Sequence, residues 1–531
     1  MTRMKTLLAA TAMALALGSA AQAKTLVYCS EGSPEGFDPA LYTSGTTFDA
    51  SGHPIYNRLA EFKKGTTETE PGLAESWDIS EDGLEYTFKL RPGVKFHSNA
   101  NFTPTRDFNA DDVIFSFDRQ GNTENPYHQY VGGASWEYYN SMSMPDFVKS
   151  IEKVDDLTVK FTLTQPYAPF IANVAMPFAS ILSKEYADQL AEAGNEAQLN
   201  QAPIGTGPFQ FVAYQPDAVI RYQAFADYWN GKQPIDDLVF AITTDASVRQ
   251  QRLLAGECHV MAFPNPSDIE SLKGNADLKV LEQEGLNIGY FAYNTQQAPF
   301  DKPEVRRALN KAINKQAIID AVYQGAGEVA KNPIPPTMWS YDEATVDDPY
   351  DPEAAKAELE AAGVSNLSMK IWAMPVSRPY NPNARRMAEL IQSDLSAIGV
   401  NSEIVSYEWG EYLQRTAEVD RDGAILMGWT GDNGDPDNFL AVLLGCDAVG
   451  GANRAQWCNE EFNAIVQEAK TKPSQEERAE LYVKAQEIFK REAPWATIAH
   501  SVVYVPTRSN VTNFIQSPLG DMTFDGVDIT E

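Results

Sequence analysis

Alternation of apolar and polar positions marks two short strands early in the chain. Tyr86, Phe88 and Leu90 alternate with polar neighbours, as do Val159, Phe161 and Leu163, which predicts half-buried strands at both places. Between them, Asn109 ahead of Ala110-Asp111-Asp112-Val113-Ile114-Phe115-Ser116-Phe117 predicts a capped helix start. The second half shows a helical period. Pro303 opens a stripe of Val305, Ala308, Leu309, Ala312 and Ile313, with Gly325 as its expected end. Asp351-Pro352 begins another helix that stops at Gly363. A third carries Met387, Leu390, Ile391, Leu395 and Ile398, halts at Gly399, and runs into strand-like Val400 to Tyr407. Ser474 with Glu477 predicts a capping box ahead of Leu481, Ala485, Ile488 and Phe489. Helices alternating with strands indicate an α/β lobe from about 284 to 503.

The first 23 residues follow a different pattern. Arg3 and Lys5 precede a short apolar run, Leu7 to Leu17, and Ala21-Gln22-Ala23 has the small-residue spacing of a cleavage site. Export is expected, with Lys24 as the first mature residue. Cys29 stands beyond that cut, which argues against a lipid-modified N-terminal cysteine, and no later stretch approaches 18 consecutive apolar residues. The remaining 508 or so residues exceed one hydrophobic core, so two or three domains are expected. No Ser/Pro/Gly linker divides them, which suits domains joined by strands that leave a lobe and return.

Net charge is −31, and −33 without Arg3 and Lys5. Such acidity disfavours nucleic acid and anionic membrane surfaces as partners, and reads most simply as a solubilising surface. Four cysteines in an exported chain suggest two disulfides with three possible pairings. Cys446 and Cys458 enclose a short polar loop and form the natural local pair, leaving Cys29 with Cys258. A metal site would need nearby ligands, and His259 is the sole such neighbour. No metal and no cofactor are therefore expected.

Catalytic signatures are mostly missing. The chain has no G-x-S-x-G, H-E-x-x-H, Walker A or G-x-G-x-x-G motif, and Ser150-Ile151-Glu152-Lys153 lacks the K-T-G that would give an S-x-x-K weight. A calcium loop starting at Asp432 would place Gly434 and Pro436 at ligand positions, where neither supplies a side-chain oxygen. An acidic pair for hydrolysis stays open, since its spacing is spatial.

Two constellations carry binding chemistry. Asp432-Asn433-Gly434-Asp435-Pro436 alone is a turn. It follows the buried strand pattern Ala424-Ile425-Leu426-Met427, however, and strand C-terminal ends commonly present ligands in α/β lobes. Trp429 can wall a pocket beside it, and Trp409 is a weaker candidate of the same kind. Arg378, between Ser377 and Pro379, can bind a carboxylate through two parallel bonds, with the Tyr380 ring and hydroxyl adjacent. Thr43-Ser44-Gly45-Thr46-Thr47 is a small polar stretch that permits close backbone approach; by default it is a turn or loop.

These segments resemble the peptide/nickel family of extracellular solute-binding proteins, receptors of ABC importers, from Lys24 to the C-terminus. Ala110-Asp111-Asp112-Val113 and Ile204-Gly205-Thr206-Gly207-Pro208-Phe209 match the family broadly. Trp372-Ala373-Met374-Pro375, Arg378 to Met387 and Gly428 to Asn438 resemble its dipeptide-binding branch. The resemblance implies an α/β, two-lobed clamshell of three discontinuous domains with hinge strands between the lobes. Domain I would comprise 24–56, 207–283 and 504–531, domain II 57–206 and domain III 284–503. It implies disulfides from all four cysteines, a periplasmic location, and no enzymatic activity. A monomer would deliver dipeptides to inner-membrane ABC permease subunits. Asp432 would take the ligand's ammonium and Arg378 its carboxylate, with Thr43, Pro379, Tyr380, Trp429, Thr430 and Gly431 lining the path. Longer peptides or another small solute are the alternative ligands, and an exported hydrolase is a remote one.

Overall fold

A computed structural model describes residues 23–133 and 135–530, apart from the side chains of Trp409 and Gly410. The expected leader, residues 1–22 of it, lies outside the described residues. Ten strands run in one path across a mixed sheet. From one edge they are Asn401–Val405, Ser368–Trp372, Ala424–Thr430, Asn287–Tyr293, Trp495–Arg508, Val260–Met261, Thr25–Cys29, Asp237–Ala241, Val219–Ala224 and Phe209–Gln215. Strands Leu278–Glu284 and Gly327–Val329 also pair with Trp495–Arg508.

Trp495–Arg508 joins two halves of this sheet. Its first part pairs with Asn287–Tyr293, and from Val502 onward it pairs with Leu278–Glu284. The partner is interrupted here, Leu278–Glu284 ending and Asn287–Tyr293 beginning beside it, while Trp495–Arg508 runs through unbroken. Gly285 N–H donates to the Ser501 carbonyl at 2.9 Å, and the buried Asn287 amide completes the gap. Asn287 Nδ2 donates to Ser501 Oγ, and Ser501 N–H donates to Asn287 Oδ1, each at 2.9 Å. A Cβ on residue 285 would stand 2.1 Å from Asn287 Nδ2. Two strands held by side-chain bonds at one level make a narrow bridge about which the halves can turn.

The early alternation forms a four-stranded antiparallel sheet of Ala74–Ile79, Glu85–Leu90, Thr158–Leu163 and Val148–Asp155. Tyr86, Phe88, Leu90, Val159, Phe161 and Leu163 are all buried, as the period of two requires. Helix Ala110–Gly121 has the predicted start: Asn109 Oδ1 accepts from Asp111 N–H, and Asp112 reaches back to Asn109 N–H. Helices Pro352–Ala361 and Ala384–Ala397 end ahead of Gly363 and Gly399, which both have positive φ. Ser474 caps Gln475–Glu492 by accepting from Glu477 N–H.

One helix expectation is corrected. The segment from Pro303 does not run to Gly325; it ends at Ala312. Ile313 is extended, and Asn314 Oδ1 accepts from Ala317 N–H at 3.0 Å to start a second piece, Lys315–Ile318. Asn314 N–H donates to Asp394 at 2.9 Å instead of continuing the helix. A short polar side chain has outcompeted the helical ladder. Both disulfides form as paired above, with Cα–Cα distances of 5.8 Å for Cys29–Cys258 and 4.5 Å for Cys446–Cys458. His259 is occupied otherwise, its Nδ1 accepting from Val27 N–H.

Arg119, near the end of Ala110–Gly121, is fully buried and paired with Asp38, its Nη2 donating to Asp38 Oδ1 at 2.9 Å. Tyr130 also donates to Asp38, and the Trp136 ring lies 5.2 Å above the guanidinium. Removing one member of a buried pair strands the other's charge, at about 3–5 kcal/mol. Asp38→Ala should therefore lower the denaturant midpoint by an amount corresponding to that loss, measured by urea unfolding followed by circular dichroism.

Candidate functional site

Glycine pairing sets the site. Gly289 and Gly428 are cross-strand partners on Asn287–Tyr293 and Ala424–Thr430. A Cβ at 428 would stand 2.1 Å from the Tyr380 ring, and one at 289 would stand 2.4 Å from the Tyr380 carbonyl. The two bare positions form a bed for the Arg378-Pro379-Tyr380-Asn381 turn. Reciprocal backbone bonds of 3.0 Å between Arg378 and Asn381 close that turn, and Tyr323 O–H donates to the Tyr380 carbonyl at 2.7 Å. Tyr380 is buried. Arg378 and Pro379 are half-buried, and the Arg378 side chain bonds the Tyr380 hydroxyl. Burial raises the Glu31 carboxyl, while Arg249 and, more weakly, Arg378 oppose the shift.

The second loop leaves the same strand. Trp429 and Thr430 are half-buried at its end, and Gly431 N–H donates to the Leu286 carbonyl at 2.7 Å. A Cβ on residue 431 would meet Leu286 and Phe439, each at 2.7 Å. Asn438 organises the loop: its Oδ1 accepts from Trp429 Nε1 at 2.9 Å and from Asp432 N–H at 3.0 Å, while its Nδ2 donates to Asp432 Oδ2 at 3.0 Å. The other acids there have cationic partners, Asp435 with Arg478 and Asp437 with Lys470. Among the described residues, Asp432 is held by neutral donors alone. The second is Tyr138, on the short helix Glu137–Ser141, donating to Asp432 Oδ1 at 2.6 Å.

Desolvation pushes the Asp432 carboxyl up to about 7, with Asp521 and Glu137 adding to the rise and the Tyr138 and Asn438 bonds opposing it. The cluster Asp49, His53 and Asp521 brings three ligating atoms within 4.8 Å of one another. Protein groups already use them: His53 pairs with Asp521 at 3.2 Å, and Asp49 Oδ1 accepts from Met522 N–H at 2.8 Å.

Thus Arg378, Pro379, Tyr380, Trp429, Thr430, Gly431 and Asp432 gather on one pair of strands. Thr43 is exposed in the extended segment before the turn Gly45–Thr47, with no side-chain hydrogen bond to these residues among the described ones. The Trp409 side chain lies outside the described residues. Sequence reasoning missed Tyr138, Glu31 and Asn438. Asn438 was discoverable as the polar residue ending the loop motif, whereas Tyr138 and Glu31 reach the site only through tertiary folding.

Residues 68–451 match the family of bacterial extracellular solute-binding proteins, family 5, over its middle region. The chain belongs to that family. The dipeptide-binding protein of Escherichia coli (strain K12) is 55% identical over 519 residues, covering 97% of each chain. Di/tripeptide-binding protein 1 of Pseudomonas aeruginosa (strain UCBPP-PA14) is 52% identical, covering 96% of this chain and 94% of its own. Among solved structures, the dipeptide-binding protein of Pseudoalteromonas sp. SM9913 in complex with Met-Leu is 41% identical with a TM-score of 0.88, covering 96% of this chain and all of its own. The two-lobed fold expected of this family is the architecture found. No helix among the described residues is long and apolar enough to cross a membrane.

Two outcomes are expected. Gly428→Ala should cost about 1–3 kcal/mol by overpacking against Tyr380, seen as a lower thermal midpoint. The second follows from Asp432. Its carboxyl is raised by burial from an ordinary 3.8 to about 7 in this arrangement, so covering it in its ionised form is unfavourable. A form that covers Asp432 takes up a proton between those limits, so acid favours empty closure and pH above about 7 opposes it. Small-angle scattering of the ligand-free protein should show a smaller radius of gyration at pH 5.5 than at pH 8. Asp432→Asn should be compact at both; an unchanged wild-type radius would contradict this.

Proposed function

We propose that this protein is a periplasmic receptor that captures dipeptides by their two charged ends and delivers them to inner-membrane ABC permease subunits. The observation that carries the reading is the pair of loops on one strand pair: one offers a guanidinium and the other a carboxylate that, among the described residues, has no cationic partner. Asp432 would receive the ligand's ammonium and Arg378 its carboxylate. Tyr380, Trp429, Thr430 and Gly431 would flank the peptide backbone, with Pro379 shaping the turn and Thr43 approaching from the other lobe. The relatives named for dipeptides, at 55% and 41% identity, support this ligand class.

The lobes would divide at the level where the strand paired with Trp495–Arg508 is interrupted, next to Gly285 and Ser501. That level supports domain III as 284–503, with domain I assembled from 24–56, 207–283 and 504–531 and domain II as 57–206. The protein would act as a monomer without catalysis or cofactor, after removal of residues 1–23 as a leader.

Length selection follows from the fixed charges. Each added residue lengthens an extended peptide by about 3.3–3.6 Å, and a free amino acid is too short for both ends. Side-chain choice should be loose, because waters can fill unoccupied space. A second reading, that tripeptides also bind, is favoured by the relative named for di- and tripeptides.

Calorimetry on the ligand-stripped protein with Ala-Ala, alanine, tri-alanine and tetra-alanine tests both. One-to-one binding of Ala-Ala without alanine or tetra-alanine is expected, and a tri-alanine heat of equal affinity would establish the second reading. Arg378→Ala and Asp432→Ala should each weaken Ala-Ala by about 100-fold or more, since each strands a ligand charge at about 2–5 kcal/mol. Equal binding of Ala-Ala and tetra-alanine would refute selection by length.

A further inference from the structure

Tyr138 reaches Asp432 from 294 positions away in sequence, across the seam bridged by the two crossing strands. Its ring is buried, stacked on Phe178 at 6.3 Å and tilted against Phe48 at 5.7 Å. The backbone that presents it is strained. Trp136 and Ser143, which precede the two short helices Glu137–Ser141 and Met144–Phe147, both have left-handed φ values, 48° and 56°. Non-glycine residues adopt that conformation at about 1–2 kcal/mol each and keep it only where their surroundings enforce it. Here the enforcement is visible: Trp136 Nε1 donates to the His128 carbonyl at 3.1 Å, and its ring lies over Arg119.

We propose that Tyr138 is a positioning residue for the ligand's amino end, donating to Asp432 only when the lobes are shut. The proposal rests on the reading of Asp432 as the ammonium partner. In the division proposed above Tyr138 belongs to domain II and Asp432 to domain III, so opening the lobes must break this bond. With Tyr138 on Oδ1 and Asn438 on Oδ2, the carboxylate is fixed in plane, and both bonds favour its ionised form against the acidic groups that raise it, Asp521 and Glu137. The ammonium then meets an oriented charge. Closure becomes coupled to the end of the peptide that distinguishes it from a simple carboxylic acid.

Tyr138→Phe keeps the ring packing and removes the donor. Stopped-flow and calorimetric titration with Ala-Ala at pH 7.5 should show a dissociation constant raised about tenfold or more, carried by faster release, with the association rate within twofold of wild type. The pH midpoint of empty closure should also move upward, a change that lost packing alone would not produce. Tyr139→Phe, beside it, should leave all three quantities at wild-type values. Affinity, release rate and pH midpoint all unchanged in Tyr138→Phe would overturn the proposal. If Asp432→Asn still bound Ala-Ala at wild-type strength, the reading of the site would fall instead. Loss of binding in Asp432→Asn with a silent Tyr138→Phe would sink the positioning role alone.

Discussion

A carboxylate withdrawn from water between two lobes must have its charge answered or must take up a proton. Asp432 is in that position, and much of the surrounding structure serves it. Asn438 and Tyr138 supply hydrogen bonds from distant parts of the chain, yet both are neutral and leave the carboxyl raised to about 7. Asp435 pairs with Arg478 at 2.7 Å, and Asp437, lifted to about 6 by burial, still has Lys470 at 3.7 Å. Among the described residues Asp432 alone of the three acids has neutral donors only, which suits a cation from outside. At the other end, Arg378 is half-buried and bonds the Tyr380 hydroxyl. A zwitterion of the right length would bring its ammonium to Asp432 and its carboxylate to Arg378, meeting the demands of both at once.

Those demands have value only if the two charges keep a fixed separation, and the strand pair provides that. Gly289 and Gly428 let the Arg378 turn lie against the same strands that launch the Asp432 loop. Any side chain at 428 would lift Tyr380 and with it the guanidinium. The halves of the sheet join elsewhere, at the level of Gly285, Asn287 and Ser501, where Asn287 side-chain bonds supplement a backbone bond from Gly285. The residues that fix the two charges are therefore distinct from those that join the lobes.

Local chemistry was legible in the sequence where one segment decides its own structure. The Asn109 cap, the strands around Phe88 and Phe161, the glycine stops at 363 and 399 and the loop after Met427 all depend on neighbours a few positions away. The break at Ile313 was not legible, because apolar periodicity carries through it and only the competing bonds of Asn314 interrupt the helix. Tyr138 was invisible for another reason: its place depends on Trp136 held in a left-handed turn over a buried ion pair. Thr43 shows the converse. Its expected role came from resemblance alone, and its exposed side chain makes no hydrogen bond to the site among the described residues.

The strong negative charge can now be weighed against the site. A long-range field acts on a ligand's net charge, and a zwitterionic dipeptide has none, so attraction of its ammonium and repulsion of its carboxylate nearly cancel at a distance. Screening over about 8–10 Å weakens what remains. Recognition must therefore act at short range, where each end meets its own partner, and water must be excluded for those contacts to be strong. A rigid open cleft would forfeit that exclusion. The hinge at Asn287 and the cross-seam bond to Asp432 are thus parts of one requirement: a ligand without net charge is held strongly only by a protein that closes around it.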